Sequence, residues 1–232
     1  MKILKPTYEV LFPKDLNGDG KKAIYESIET AARTCYKSTN NGSEEKQKNM
    51  LLRLIQGGHE AMLEHASITV RFTVDRGVTH ELVRHRIASF AQESTRYCNY
   101  SKDKFGNECS FIDLSGGLKG DSKQYDEDTF NQILAEWCRA CEDSEKHYLK
   151  MIEIGATPQM ARSVLNNSVK TEIVVTASIR EWRHILELRA VGTTGTPHPQ
   201  IKEVMIEVLH DFANAMPELF GDIERLINNA EE

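Results

Sequence analysis

The eight residues Ser67–Val74, SITVRFTV, alternate strictly, with Ile68, Val70, Phe72 and Val74 on one side. A period of two is the signature of a pleated strand and sets these four apolar side chains on one face of a sheet. TEIVVTAS, ending at Ser178, reads as a second, buried strand, and shorter candidates lie near 2–12 and 109–114. Between them run helical patterns: Lys21–Tyr36, Ser43 to the Gly57-Gly58 stop, and a long one from about Asp126 to Ile154 that ends at Gly155. Thr157-Pro158 opens another helix, carrying Arg162, with a capping residue followed by proline at its first position. IREWRHILELRA follows the second strand directly, and HPQIKEVMIEVLHDFANAMPELF forms an amphipathic helix interrupted at Pro217. The expected fold is α+β, a mixed or antiparallel sheet packed by long helices. A single domain over residues 1–232 is expected, long enough to bury a sizeable core.

Composition narrows the function classes. With 40% hydrophobic and 28% charged residues the chain is an ordinary globule, and its net charge of −6 argues against general nucleic-acid binding. The opening MKILKPTYEVLF is too polar for a secretory signal, and no run of eighteen apolar residues occurs. A cytoplasmic protein with no membrane partner is expected. Five cysteines without a signal point to reduced thiols. Cys138 and Cys141 form a C-x-x-C, but inside a helical pattern rather than at a helix start, so they read as small helix residues.

Two motifs imitate metal sites. DLNGDGKKAIYE satisfies the EF-hand pattern through Asp15, Asn17, Asp19, Gly20 and Glu26. A strand-like segment ending at Pro13 stands where the first helix should be, and Lys21 and Lys22 put positive charge where a cation would sit. A Gly-Asp turn feeding a helix accounts for the same residues. HEAMLEH offers His59 and His65, but six residues apart rather than the four that put two ligands on one helix face. No metal is expected.

The unusual stretch is RHRIASFAQESTRY, Arg84–Tyr97, which gathers three arginines and a histidine in an acidic chain. Arginines this close repel unless an anion or carboxylates sit among them. A helical pattern from Val78 to about Ala88 puts RHR in a last turn, where cations complement the dipole. The donors Ser89, Gln92, Ser94 and Arg96 continue past it into a segment suited to cradling a ligand. Arg162 and the pair Arg180 and Arg189 form two further cationic groups at element ends. Arg180 and His184 share a helix face, and Arg183 and Glu187 make an i,i+4 pair. Bidentate guanidinium donors suit phosphate and the carbonyl edges of a pyrimidine or flavin, so a phosphorylated ligand is inferred. Two other readings use the same residues: a non-catalytic nucleotide- or RNA-binding protein, and a structural one in which RHR pairs with surface carboxylates.

The spacing R-H-R, seven residues, then serine, realised as Arg84, His85, Arg86 and Ser94, resembles the signature of flavin-dependent thymidylate synthase. Arg96-Tyr97, HEAMLEH ending in His65, ARSVL around Arg162, and VVTASIREWRHILELRA match further blocks of that family in order, from about residue 31 to 220. The resemblance implies a homotetramer that binds FAD and dUMP where subunits meet. It implies that NADPH reduces the flavin, that methylenetetrahydrofolate supplies a one-carbon unit to C5 of dUMP, and that dTMP leaves. It places Ser67, Arg84, His85, Arg86, Gln92, Ser178, Arg180 and His184 at FAD. It places Glu81, Arg84, Gln92, Glu93, Ser94, Thr95, Arg96, Arg162 and Arg189 at dUMP. Arg189, Ser94 and His65 would carry the catalytic roles: Arg189 favouring negative charge on the pyrimidine, Ser94 as a ligand-binding hydroxyl, His65 flanking the flavin near the folate.

The residue inventory agrees with that chemistry. A cysteine nucleophile needs a depressed pKa, and none of the five cysteines has a basic neighbour placed by sequence to supply it. No G-x-S-x-G elbow makes Ser94 a hydrolase nucleophile. The chain departs from the family at Glu81, where Gln is usual, at Ala91-Gln92 for a common Asn-Glu, at Asn166 for a frequent proline, and in a short insertion at Val191–Pro197.

Overall fold

The computed structural model describes residues 1–39 and 42–228. In chain order the elements are β1 (Lys2–Leu4), β2 (Thr7–Phe12), α1 (Asp19–Tyr36), α2 (Glu44–Gln56), a 3-10 segment (Glu60–His65), β3 (Ser67–Asp75), α3 (Arg76–Leu82) and β4 (Ala88–Gln92). There follow β5 (Ser110–Ile112), α4 (Ser115–Lys119), α5 (Glu127–Ile154), α6 (Pro158–Ala161), β6 (Lys170–Ser178), α7 (Ile179–Leu186), a π-helical turn (Glu187–Val191), α8 (Pro199–Ala215) and α9 (Pro217–Asn228). The fold is α+β as expected. Four strands pair in the order β2-β3-β6-β4, and β1 pairs with β5 in parallel, Lys2 opposite Ser110 and Leu4 opposite Ile112.

β3 and β6 both alternate between buried and half-buried positions. The Ile179 N–H donates to the Ala66 carbonyl (2.9 Å), while the Thr69 and Thr176 hydroxyls meet at 2.9 Å. Numbers rise on one strand as they fall on the other, so the pair is antiparallel.

Two compact units divide the chain, the first formed by 1–7, 72–84 and 90–174, the second by 8–71, 85–89 and 175–232. In the first, Tyr100, Phe111, Tyr148, Cys109, Cys141 and Val169 form a buried cluster against α5. The Asp126 carboxylate caps α5 by accepting from the Thr129 N–H (2.7 Å), Glu127 and Asp128 complement its dipole, and Gly155 ends it at φ 109°, a left-handed conformation that favours glycine. In the second, Trp182 donates its indole N–H to the Ile68 carbonyl (2.9 Å) and meets Phe212 edge-on, and Phe212 packs on Phe220.

Several local expectations are corrected. The 2–12 strand is two strands separated by two residues. The helix expected over Val78–Ala88 ends at Leu82: RHR lies in the turn beyond it, and Ala88–Gln92, read as a cradle loop, is a strand. The Asp75 carboxylate caps this short helix from in front (2.7 Å to the Val78 N–H), so it starts at Arg76, ahead of the expected Val78. The EF-hand pattern is broken by α1, which begins at Asp19 inside it, and Glu26 faces Lys22 (3.9 Å). Among the described residues no group of three or more His, Cys, Asp or Glu is placed to hold a metal ion, and no helix is long and apolar enough to cross a membrane.

Arg183 does not pair with Glu187. Its buried guanidinium holds Asp222 bidentately (2.8 and 2.7 Å) and also donates to the Leu219 carbonyl, tying α7 to α9. Burial, the largest single effect, pushes the Asp222 carboxyl up, but the Arg183 hydrogen bonds, the Arg183 charge and backbone N–H donors together outweigh it and leave the group below its usual range. Asp222 is 38% exposed, so the cost of breaking a buried pair is trimmed by solvent. Asp222→Ala should destabilise the protein by about 2 kcal/mol, read from the urea midpoint. Because the native pKa is depressed, this contribution is fully present above about pH 4 and is lost as the pH falls further. A variant as stable as the parent at pH 7 would contradict the assignment.

Candidate active site

In the first unit, the segment after β4 folds into a turn. The Ser94 carbonyl accepts from the Tyr97 and Cys98 N–H groups (3.1 and 2.9 Å), and its hydroxyl accepts from the Arg96 N–H (3.3 Å). Thr95 is buried and accepts from Arg162 Nη1 (3.2 Å). A pocket of ≈ 440 Å³ opens beside these two residues, lined also by Arg76, Gln159, Ser163 and Asn167 among others. No carboxylate lines it. Arg76 Nη1 is buried with no hydrogen-bond partner. Two guanidiniums and a hydroxyl without a local counter-charge fit an anion, phosphate above all. Arg96 lies over the Tyr97 ring, 5.5 Å from its centroid, and both are exposed.

The residues before the turn serve to hold it. The Gln92 amide donates to the hydroxyls of Thr79 (2.9 Å) and Thr171 (3.4 Å). The Glu93 carboxylate is taken by Lys170 (3.0 Å) and the Tyr100 hydroxyl (3.2 Å). The one carboxylate of the Gln92–Arg96 segment is therefore neutralised from within. Asn166, where proline is frequent in the family, donates its N–H to the Ser144 hydroxyl (3.3 Å), a bond proline could not make. Glu81, in α3, is half-buried, and its carbonyl accepts from the Arg84 N–H (3.3 Å).

In the second unit, the Ser178 hydroxyl caps α7 by accepting from the Glu181 N–H (3.2 Å). The helix then presents Arg180 and His184 to one cleft of ≈ 340 Å³, joined by Ser178, Ile87, Glu60 and Glu64. Arg180 is held by Glu60 (3.3 Å) and Glu64 (2.6 Å). Arg183 also reaches this cleft, and its buried Nε has no hydrogen-bond partner. An orphaned donor, an arginine, a histidine and a hydroxyl in one cleft suit the carbonyl edge or diphosphate of a flavin. Desolvation raises the Glu181 and Glu187 carboxyls, which also line the cleft.

His85 is buried and does not line that cleft. Its Nε2 accepts from Arg189 Nε (3.1 Å), and its Nδ1 lies 3.7 Å from Glu181. Arginine can only donate, so Nε2 carries the lone pair and the ring is neutral with its proton on Nδ1. Arg189 stands on the π-helical turn and is half-buried. The Val191–Pro197 insertion closes into a tight turn, with Gly192 donating to the Glu187 carbonyl (2.9 Å) and Gly195 to that of Gly192 (3.0 Å).

Arg84 and Arg86 are exposed and take part in no ion pair among the described residues, which removes the reading of RHR as a surface salt-bridge cluster. Ser67 is half-buried at the start of β3. His65 is exposed and lines a different groove, ≈ 720 Å³ along α1 with Met62 and Cys35, rather than the Arg180 cleft. Arg76 and Asn167 escaped the sequence reading, because an arginine following a strand has no periodic signal; only its nearness in space to Arg162 marks it.

The family described as thymidylate synthase complementing protein matches residues 22–218. The chain is 31% identical to the flavin-dependent thymidylate synthase of Mycobacterium tuberculosis over 224 residues, 91% of this chain and 83% of that one. It belongs to the flavin-dependent thymidylate synthase family. The corresponding protein of Mycobacterium avium is 30% identical over 227 residues, again covering 91% of this chain and 83% of that one. Among solved structures, the UMP/dUMP methylase PolB from Streptomyces cacaoi bound with 5-Br UMP shares the fold, with a TM-score of 0.75 at 22% identity over 97% of each chain.

The His85 tautomer is directly measurable. Nitrogen NMR at neutral pH should show Nδ1 protonated and Nε2 bare, with the Nε2 signal moving on Arg189→Ala. A ring protonated on Nε2 would contradict the hydrogen bond.

Proposed function

We infer that this family member makes dTMP from dUMP, with methylenetetrahydrofolate as one-carbon donor and NADPH as reductant acting through FAD. The observation that carries the reading is a carboxylate-free recess bearing Arg76 and Arg162, a second cleft bearing Arg180 and His184, and no activated thiol among Cys98, Cys109 and Cys141. Burial raises the Cys98 and Cys141 thiols, and burial with the Glu145 charge pushes Cys109 up to about 12, so these thiols are not poised as nucleophiles. The Ser94 hydroxyl accepts from a backbone N–H and has no histidine partner among the described residues, which suits ligand binding rather than attack.

The nucleotide phosphate would lie against Arg162 and the Ser94–Arg96 turn, where no carboxylate lines the pocket. Arg189 would face the pyrimidine and stabilise the negative charge that develops as C5 becomes nucleophilic. His85 supports this by holding the guanidinium through Nε2 (3.1 Å). Ser178, Arg180 and His184, with Ser67, Arg84 and Arg86, would hold the flavin, and Arg180 would exchange Glu60 and Glu64 for it. Bound FAD would supply hydride drawn from NADPH, which is the redox chemistry these side chains cannot perform. His65 would flank the folate side.

A homotetramer with sites completed at subunit faces fits the exposure of Ile87 (79%) and Tyr97 (78%) inside the motif itself. Purified protein should be yellow, or become so with FAD, and NADPH should bleach the flavin band. A colourless protein after incubation with FAD would overturn the reading. Arg189→Ala should keep the flavin yet lower dTMP formation by about 100-fold or more. Undiminished turnover would remove Arg189 from the chemistry.

A further inference from the structure

Arg76 is the one cation of the first unit's pocket that the nucleotide reading leaves without a task. Its backbone is pinned, with the Arg76 and Gly77 N–H groups both directed at the Asn167 carbonyl (3.0 and 3.4 Å). The adjacent Asp75 is engaged in capping, accepting from the Val78 N–H (2.7 Å). Arg76 lines the same pocket as Arg162 and Thr95, and its Nη1 is shut off from solvent without an acceptor. A guanidinium nitrogen deprived of both water and a protein acceptor is costly, and such a cost persists where a ligand removes it.

We propose that Arg76 is the second arginine of the phosphate pocket and that, with Arg162, it makes the site selective for a phosphate monoester, a nucleoside monophosphate over the free nucleoside. An entering phosphate brings the acceptor that Nη1 lacks and places two guanidiniums against a dianion. Thr95, itself held by Arg162 (3.2 Å), keeps the second guanidinium from turning away. This rests on the reading of the pocket as the nucleotide site.

Calorimetric titration of dUMP and of deoxyuridine into the parent, Arg76→Gln and Arg162→Gln separates the two claims, with thermal melting of each apo protein alongside. Arg76→Gln should weaken dUMP binding about 10- to 100-fold, the worth of one charge-assisted hydrogen bond, and leave deoxyuridine binding unchanged. Its apo melting temperature should match or exceed that of the parent, because a buried orphaned donor has gone. Arg76→Lys, which keeps the charge without the fork, should bind dUMP with intermediate affinity. If Arg162→Gln loses dUMP and Arg76→Gln does not, the Arg76 assignment falls while the nucleotide reading stands. If the parent binds deoxyuridine as tightly as dUMP, the pocket does not read phosphate and both fall. An Arg76→Gln protein that unfolds, or melts lower and loses both ligands alike, makes Arg76 a structural residue and overturns the proposal.

Discussion

The hydrogen bond from the Ile179 N–H to the Ala66 carbonyl closes the antiparallel pair of β3 and β6 and fixes where α7 begins. One residue earlier, Ser178 caps the helix, so the strand passes into it without a loop. That leaves no freedom in the helical phase. Arg180 and His184, four residues apart, emerge on one face, Trp182 and Arg183 turn into the core, and the π-helical turn carries Arg189 back onto His85. A register slip of one residue in the pair would send each of these side chains to the wrong side.

Within that frame the arginines divide by the partner each is given. Arg183 has a carboxylate and a carbonyl and holds two helices together. Arg180 has two exposed glutamates, partners that solvent screening makes easy to exchange. Arg189 has the His85 imidazole, which orients it (3.1 Å). Among the described residues Arg162 has the Thr95 hydroxyl, and Arg76 Nη1 has no acceptor. An acidic protein of net charge −6 has carboxylates in excess, so cations held away from them reflect a selective arrangement rather than a shortage.

Much of this was legible in the chain. The alternation in SITVRFTV and TEIVVTAS, the proline and glycine stops, and the capping residues all have local physical causes, and the elements they predict form. RHR falls in an irregular turn rather than a helix end, and a last helical turn and an irregular turn carry the same residue pattern. β4 was missed because ASFAQ alternates only weakly. Arg183 was paired with Glu187 by proximity along the helix, whereas Asp222 lies 39 residues away. The ordered family blocks found the cationic residues, but not that Glu93 is spent on Lys170 and Tyr100 or that Gln92 is held by two threonines. Such internal uses depend on contacts distant in sequence.

The placement of His85 follows from what a cation needs to act on a developing anion. An aspartate in its place would orient Arg189 equally well and cancel its field; an apolar residue would leave the field intact and the guanidinium free to wander. A neutral histidine satisfies both demands, provided its other nitrogen carries the proton. Glu181 lies 3.7 Å from that nitrogen, and desolvation raises the Glu181 carboxyl. His85 thus orients Arg189 from a buried position in the second unit. The motif histidine meets Arg189 through Nε2 (3.1 Å), while the arginines on either side of it are exposed and take part in no ion pair among the described residues.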